Sequence, residues 1–140
     1  MRIRAARASD IEAMHALRLG VRENRLSDPR RVTEDSYGPH IERGAAWVAE
    51  TGRGLAGFAI LDVESGTVWA LFVAPEAEGL GIGRALHARL LKGAVEHGLT
   101  RLSLSTAPGT RAERFYGEAG WTRGGRTADG EQLFDRDVPG

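Results

Sequence analysis

Residues 68–86 set an apolar run, Val68-Trp69-Ala70-Leu71-Phe72-Val73, ahead of the glycine-rich Gly79-Leu80-Gly81-Ile82-Gly83-Arg84. That stretch opens an apolar stripe at Ile82, Leu86, Leu90 and Ala94. A strand that empties through alternating glycines into an amphipathic helix limits the folds open to the chain. Glycine lets the main chain approach a ligand closely and point successive N–H groups one way. The helix that follows adds its unpaired N-terminal donors and about half a unit of positive charge. Residues 79 to 84 are therefore predicted to hold a pyrophosphate through their main-chain N–H groups. The plainer alternative is that three glycines merely tighten a turn.

Two familiar phosphate loops do not fit. A dinucleotide fingerprint starting at Gly79 needs glycine where Arg84 stands, and no Gly-Lys-Ser/Thr ending of a Walker loop occurs. The spacing x-x-Gly81-x-Gly83, preceded by Val73-x-Pro75, resembles the acetyl-CoA loop of the GNAT family of N-acetyltransferases. Farther on, Ala112-Glu113-Arg114-Phe115-Tyr116-Gly117-Glu118-Ala119-Gly120-Trp121 resembles that family's A-x-x-F-Y-x-x-x-G-F/W signature. The two stand in the family's order, separated by a helix and one alternating strand.

Composition narrows the partners. The 19 basic and 19 acidic residues cancel, leaving no broad cationic field for nucleic acid. With no cysteine there is no disulfide, thiolate metal site or cysteinyl nucleophile. The N-terminus lacks the apolar core of a signal peptide, and no run approaches the ~20 apolar residues of a membrane span, so a soluble cytoplasmic protein is expected. At 140 residues the chain is expected to form one domain, 1–140.

The predicted elements make an α+β fold, a mixed and mostly antiparallel central sheet flanked by about four helices. Residues 2–5 read as a strand. A helix follows, with Ser9 as its cap, Ile11, Met14 and Leu17 as its apolar positions, and an end near Gly20. The segment 21–29 reads as a polar loop. Thr33 is expected to cap a second short helix whose length Pro39 limits. Runs 46–50 and 55–61 form a hairpin, 68–73 the next strand, 102–105 another, 110–119 a helix, and a last hairpin turns near 128–130. Edge strands after Trp121 offer backbone for pairing with a second copy.

The resemblance implies function and roles. It implies acetyl-CoA as donor and a primary amine as acceptor, on a small molecule or a protein, with direct attack in a ternary complex. The pantetheine arm is then expected in a wedge between the strand ending at Val73 and the one ending near Thr106. A main-chain N–H near Val73 would bond the thioester oxygen, with Phe72, Val73 and Thr106 lining the cofactor. Tyr116 resembles the family's general acid; otherwise it packs in the core beside Phe115. Glu78 stands where the family usually places Gln or Arg, and a carboxylate beside phosphate is repulsive. Arg84 either adds charge to the phosphates or is a solvated helix residue. Gly109 replaces a frequent Asn, so its cofactor hydrogen bond is missing or comes from Thr106 or Thr110.

The base is harder to read, because the strand 68–73 carries no acid. Glu23 in the loop between the first two helices is the first candidate, against a plain solvated charge. Asp62, Glu64 and then His40 follow. Ser103 and Ser105 lack a G-x-S-x-G elbow, so no serine hydrolase is expected. The histidines show no paired metal spacing, so no catalytic metal is expected. Trp47, Trp69 and Trp121 are core residues first and acceptor contacts second. A different class of reading keeps the cofactor loop but not the chemistry: a non-catalytic acyl-CoA sensor or interaction module. A structural domain without cofactor would make both motifs coincidences.

Overall fold

In the computed structural model, which describes residues 1–21 and 32–138, alternating apolar runs pair into one seven-stranded sheet. The strands are β1 (Arg2–Ala5), β2 (Ala46–Thr51), β3 (Gly54–Asp62), β4 (Thr67–Val73), β5 (Arg101–Thr106), β6 (Thr122–Arg126) and β7 (Gln132–Asp137). Their order is β1-β2-β3-β4-β5-β7-β6, antiparallel throughout except β4 with β5. The helices are α1 (Ile11–Gly20), α2 (Gly38–Glu42), α3 (Ile82–Glu96) and α4 (Arg111–Glu118). The mixed sheet and four helices match the architecture expected from the sequence.

Strand alternation sends side chains to two cores. On one face, Ile82, Leu86, Leu90 and Ala94 of α3 pack on Trp47, Ala49, Ala59 and Leu61, joined by Tyr116, Trp121 and Phe134. On the other, Met14 and Tyr37 pack on Val48, Phe58, Ile60 and Ala70. Gly93 lies against the ring of Trp47, which an added Cβ would meet at 2.2 Å, so glycine sets how closely α3 approaches β2.

Two starts differ from expectation. A 3-10 turn over Ala8–Asp10 precedes α1, and Arg7 rather than Ser9 begins it. Asp10 accepts the Arg7 N–H at 2.7 Å and both Arg4 guanidinium nitrogens at 2.8 and 2.9 Å, a job the shorter serine cannot do. Pro39 does not end a helix. It sits in the first turn of α2, where a missing N–H costs nothing.

The feature that builds the site is where β4 leaves its neighbours. Ile60 faces Ala70 but Leu61 faces Val68, so Trp69 is an unpaired bulge residue. The bulge directs Trp69, Ala70 and Phe72 to the α1/α2 face and leaves Val68, Leu71 and Val73 on the α3/α4 face. Between β4 and β5 the ladder holds a single rung, Thr67 with Ser103, beyond which the strands part in a wedge.

Candidate functional site

On the α3/α4 face the site is mostly main chain. Ala74 N–H donates to Ala56 O at 2.8 Å, so alternation turns the Val73 N–H to the opposite edge, toward the wedge. After a 3-10 turn at Pro75–Ala77, Gly79 and Gly81 take φ of +81° and +80°, conformations that strain any L side chain. The first backbone bond of α3 runs from Ala85 N–H to Gly81 O. None of the N–H groups of Gly79, Leu80, Gly81, Ile82, Gly83 and Arg84 has a partner among the described residues. Six free donors on successive residues at a helix start can hold a phosphate-bearing anion. Gly83 keeps the space beside them open: a Cβ there would lie 3.5 Å from Val73 Cγ2 and 3.9 Å from Phe115.

Side chains around this turn sort themselves. Glu78 pairs with Arg111 at the start of α4, which neutralises the carboxylate that a phosphate would otherwise meet. Arg84 and Leu80 are exposed. Thr110 is occupied: its hydroxyl donates to Ala107 O and accepts the Glu113 N–H as the α4 cap. Gly109 has φ +76° and gives its N–H to Glu113. Thr106 is the opposite case, 9% exposed with a buried Oγ1 that has no partner. An orphaned hydroxyl at the end of β5 fits a bound polar ligand.

Tyr116 keeps 5% of its surface among Phe115, Trp121, Phe134 and His87, and its hydroxyl makes no hydrogen bond among the described residues. Burial pushes its phenol well above the usual range. His87 is buried too, and desolvation, helped by the Arg136 charge, lowers it to about 4. It is neutral at pH 7 and accepts the Trp121 Nε1–H at 2.9 Å on Nε2. Trp47 and Trp121 are thus core residues, 2% and 4% exposed.

Trp69 differs, because the bulge presents it at the wedge on the other face. With Thr67, Val68, Ser103, Leu104, Ser105 and Leu133 it lines a cleft of about 370 Å³. Tyr37 packs edge-on against its ring at 5.2 Å, and His40 lies tilted against it at 4.8 Å. His15 Nδ1 and the Tyr37 hydroxyl share a 2.9 Å hydrogen bond. Over this floor lies Arg18, its guanidinium carbon 4.8 Å from the Trp69 ring centre and 5.0 Å from that of Phe72. Phe72, expected to line the cofactor, belongs with its ring to this face.

Of the proton acceptors named from the sequence, Glu23 lies outside the described residues. Asp62 accepts the N–H groups of Glu64 and Ser65 in the β3–β4 turn, and Glu64 pairs with Arg43 at 2.5 Å. His40 alone of these touches Trp69, and desolvation first of all lowers its pKa, keeping the imidazole neutral. Ser105 Oγ donates to Glu131 at 2.8 Å. Among the described residues no group of three or more metal-ligating side chains is placed to hold a metal ion, and no helix is long and apolar enough to cross a membrane.

Arg18, Tyr37 and His15 escaped the sequence reading. Arg18 did leave a signal. It stands at the i+4 position from Met14 on the buried stripe of α1, where a charged residue is out of place.

A family model described as the acetyltransferase (GNAT) family matches residues 11–121. No curated protein matches the chain by sequence. Solved structures share its fold. N-acetylglutamate synthase from Neisseria gonorrhoeae, complexed with coenzyme A and N-acetyl-glutamate, aligns with a TM-score of 0.80 at 21% identity, over 99% of this chain and 35% of that one. The chain thus spans about a third of that synthase. Ribosomal-protein-S18-alanine N-acetyltransferase from Escherichia coli aligns with a TM-score of 0.76 at 19% identity over 99% and 94% of the two chains. The yncA structure from Salmonella typhimurium, with its cofactor acetyl-CoA, gives 0.76 at 21% identity over 100% and 95%.

Proposed function

The chain belongs to the acetyltransferase (GNAT) family, and from that premise we propose that it is a single-domain N-acetyltransferase that acetylates a primary amine by direct attack in a ternary complex. One observation carries this reading: six unpartnered N–H groups from Gly79 to Arg84 open α3 beside the wedge between β4 and β5. Acetyl-CoA, when bound, supplies the acetyl group as a thioester; the amine nitrogen forms the new C–N bond as the C–S bond breaks.

The chain's own residues then have defined work. The turn amides and the free Thr106 hydroxyl bind and orient the cofactor. The Val73 N–H, aimed into the wedge, stabilises negative charge on the carbonyl oxygen, a role worth roughly 2.7 to 4 kcal/mol elsewhere. Tyr116 donates its hydroxyl proton toward the leaving sulfur. Because burial holds that phenol protonated, it is always a donor, and full transfer is more uphill than for an exposed tyrosine. His40, neutral beside Trp69, is the residue of the β4 floor able to accept the amine's proton at neutral pH. The acceptor enters along the cleft beneath Trp69.

A second reading, a cofactor-binding module without catalysis, draws on the raised Tyr116 phenol and the absence of an acid on β4. Titration calorimetry with acetyl-CoA separates both from a domain without cofactor. Gly83→Glu, compatible with helical backbone and favourable in a first turn, should keep the melting temperature while weakening acetyl-CoA at least ~100-fold through charge beside phosphate. Retained affinity would remove the turn from the cofactor site. Turnover against an amine panel then decides catalysis: Tyr116→Phe should lower kcat about 100-fold with acetyl-CoA affinity unchanged, and equal rates would take the acid's role from Tyr116.

A further inference from the structure

Arg18 is 7% exposed, yet its Nε and Nη1 are buried with no hydrogen-bond partner. Among the described residues no carboxylate pairs with it. Its neighbours are the faces of Trp69 and Phe72 and the Tyr37 hydroxyl, whose pKa its charge and a side-chain hydrogen bond lower against the larger upward push of burial, while Nε and Nη1 stay without a partner. A charge taken out of water is costly unless paired and hydrogen-bonded. Cation–π contact recovers only part of that cost and satisfies no N–H. Other guanidinium groups of the chain find carboxylates: Arg4 pairs with Asp10 and Glu50, Arg101 with Asp135 and Asp137, Arg123 with Glu113. Arg18 stands apart from these, over the residue that the bulge presents to the acceptor cleft.

We propose that Arg18 is a specificity residue that receives the carboxylate of the acceptor, so that the substrate class is amines bearing a carboxylate, such as amino acids. The inference rests on the acetyltransferase reading of the same site. A planar guanidinium presents two forks of parallel N–H donors, Nε with Nη2 and Nη1 with Nη2, and either matches a carboxylate in bidentate geometry; the idle Nε and Nη1 belong to one fork each. One unpaired cation suits a monoanion, and the neutral His40 adds no second charge that a phosphate dianion would call for. Trp69 and Phe72 hold the guanidinium plane from beneath, so its donors are preorganised before the ligand arrives.

The test uses the full chain, with the thiol released from acetyl-CoA as readout. Each L-amino acid is set against the amine lacking its carboxylate, for example L-alanine against ethylamine and L-phenylalanine against phenethylamine, with phosphoethanolamine as the phosphate arm. The carboxylated member should be preferred by about 30-fold or more in kcat/KM, as expected when a buried charge pair is completed. Arg18→Met should erase that preference through KM, leave acetyl-CoA affinity unchanged and not lower the melting temperature, since it removes an unpaired buried charge. Arg18→Lys, which keeps the charge without the fork, should recover only part of the preference. A cofactor-free arm keeps the two readings separate: N-acetylglycine, but not N-methylacetamide, should raise the melting temperature of the wild type and not of Arg18→Met. If acetyl-CoA fails to bind, the acetyltransferase reading falls while this arm still reports on Arg18. Preference for the carboxylate-free amines or for phosphoethanolamine overturns the proposal. So does selection unchanged in Arg18→Met, a melting temperature lowered without loss of selection, or no carboxylate-dependent shift.

Discussion

His87 and Arg18 are both buried nitrogen bases, one on each face of the same sheet, and the fold treats them in opposite ways. His87 is neutral, closed in by Phe115, Tyr116 and Trp121, with its acceptor nitrogen used by the indole N–H. Arg18 carries its charge under cover, with two nitrogens idle. The α3/α4 face leaves one buried side-chain group, the Thr106 hydroxyl, without a partner and offers its other free valences through the main chain at residues 79 to 84. The α1/α2 face has its backbone paired along β2 and β3 and leaves a side chain unsatisfied. A binding surface made of amides depends on conformation, whereas one made of a guanidinium over two rings depends on residue identity.

Acid should break the first face most strongly. Below pH 6.5 the unfolded chain takes up a proton at His87 that the folded chain refuses until about pH 4, so stability falls as acid is added through that window. The size is about 3 kcal/mol. His87→Gln, which keeps an acceptor for Trp121, should flatten the loss between pH 6.5 and 4 in urea titrations; an equal slope would show that His87 is not the group responsible. A smaller effect belongs to the second face. Trp69→Ala should cut kcat/KM for the acceptor by about 100-fold, equivalent to about 2.7 kcal/mol, while acetyl-CoA affinity stays the same; parallel loss of both would mean that the two faces are not separable. Smallest is Thr106→Val. It should weaken acetyl-CoA by about fivefold, within the net worth of one hydrogen bond, and leave the melting temperature unchanged or higher, because the hydroxyl it removes has no protein partner. A lower melting temperature with unaltered affinity would make Thr106 structural.

The asymmetry explains what could be read from the chain beforehand. Glycines at 79, 81 and 83, the apolar stripe of α3 and the Ala112–Trp121 signature act locally, and the turn and the helices follow from them, as the mixed sheet follows from the alternating runs. Contacts between distant segments were not legible. The Glu78 carboxylate looked hostile to phosphate because its partner, Arg111, lies across the wedge on another helix. Ser9 looked like a cap because the Arg4–Asp10 pair that moves the start to Arg7 forms only once β1 and the helix are side by side. Trp47, Trp69 and Trp121 were equivalent in the sequence; a one-residue register shift between Ile60 and Leu61 alone brings Trp69 to the cleft. The same kind of distant contact sorts the bases named from the sequence: Asp62 and Glu64 are engaged in a turn and a surface pair, whereas His40 touches Trp69, which is why His40 is the one proposed.

The single rung between Thr67 and Ser103 has a mechanical meaning as well. It makes the sheet two stiff plates, β1–β4 and β5–β7, joined along their shared edge at one point. The amides of β4 and β5 that look into the gap lack the cross-strand protection enjoyed by those on the outer sides of the same strands, so hydrogen exchange should differ from one residue to the next along each strand. Whatever fills the gap acts as a spacer that fixes the angle between the plates, and its arrival should be felt as slowed exchange on both sides at once, including in strands that it never touches.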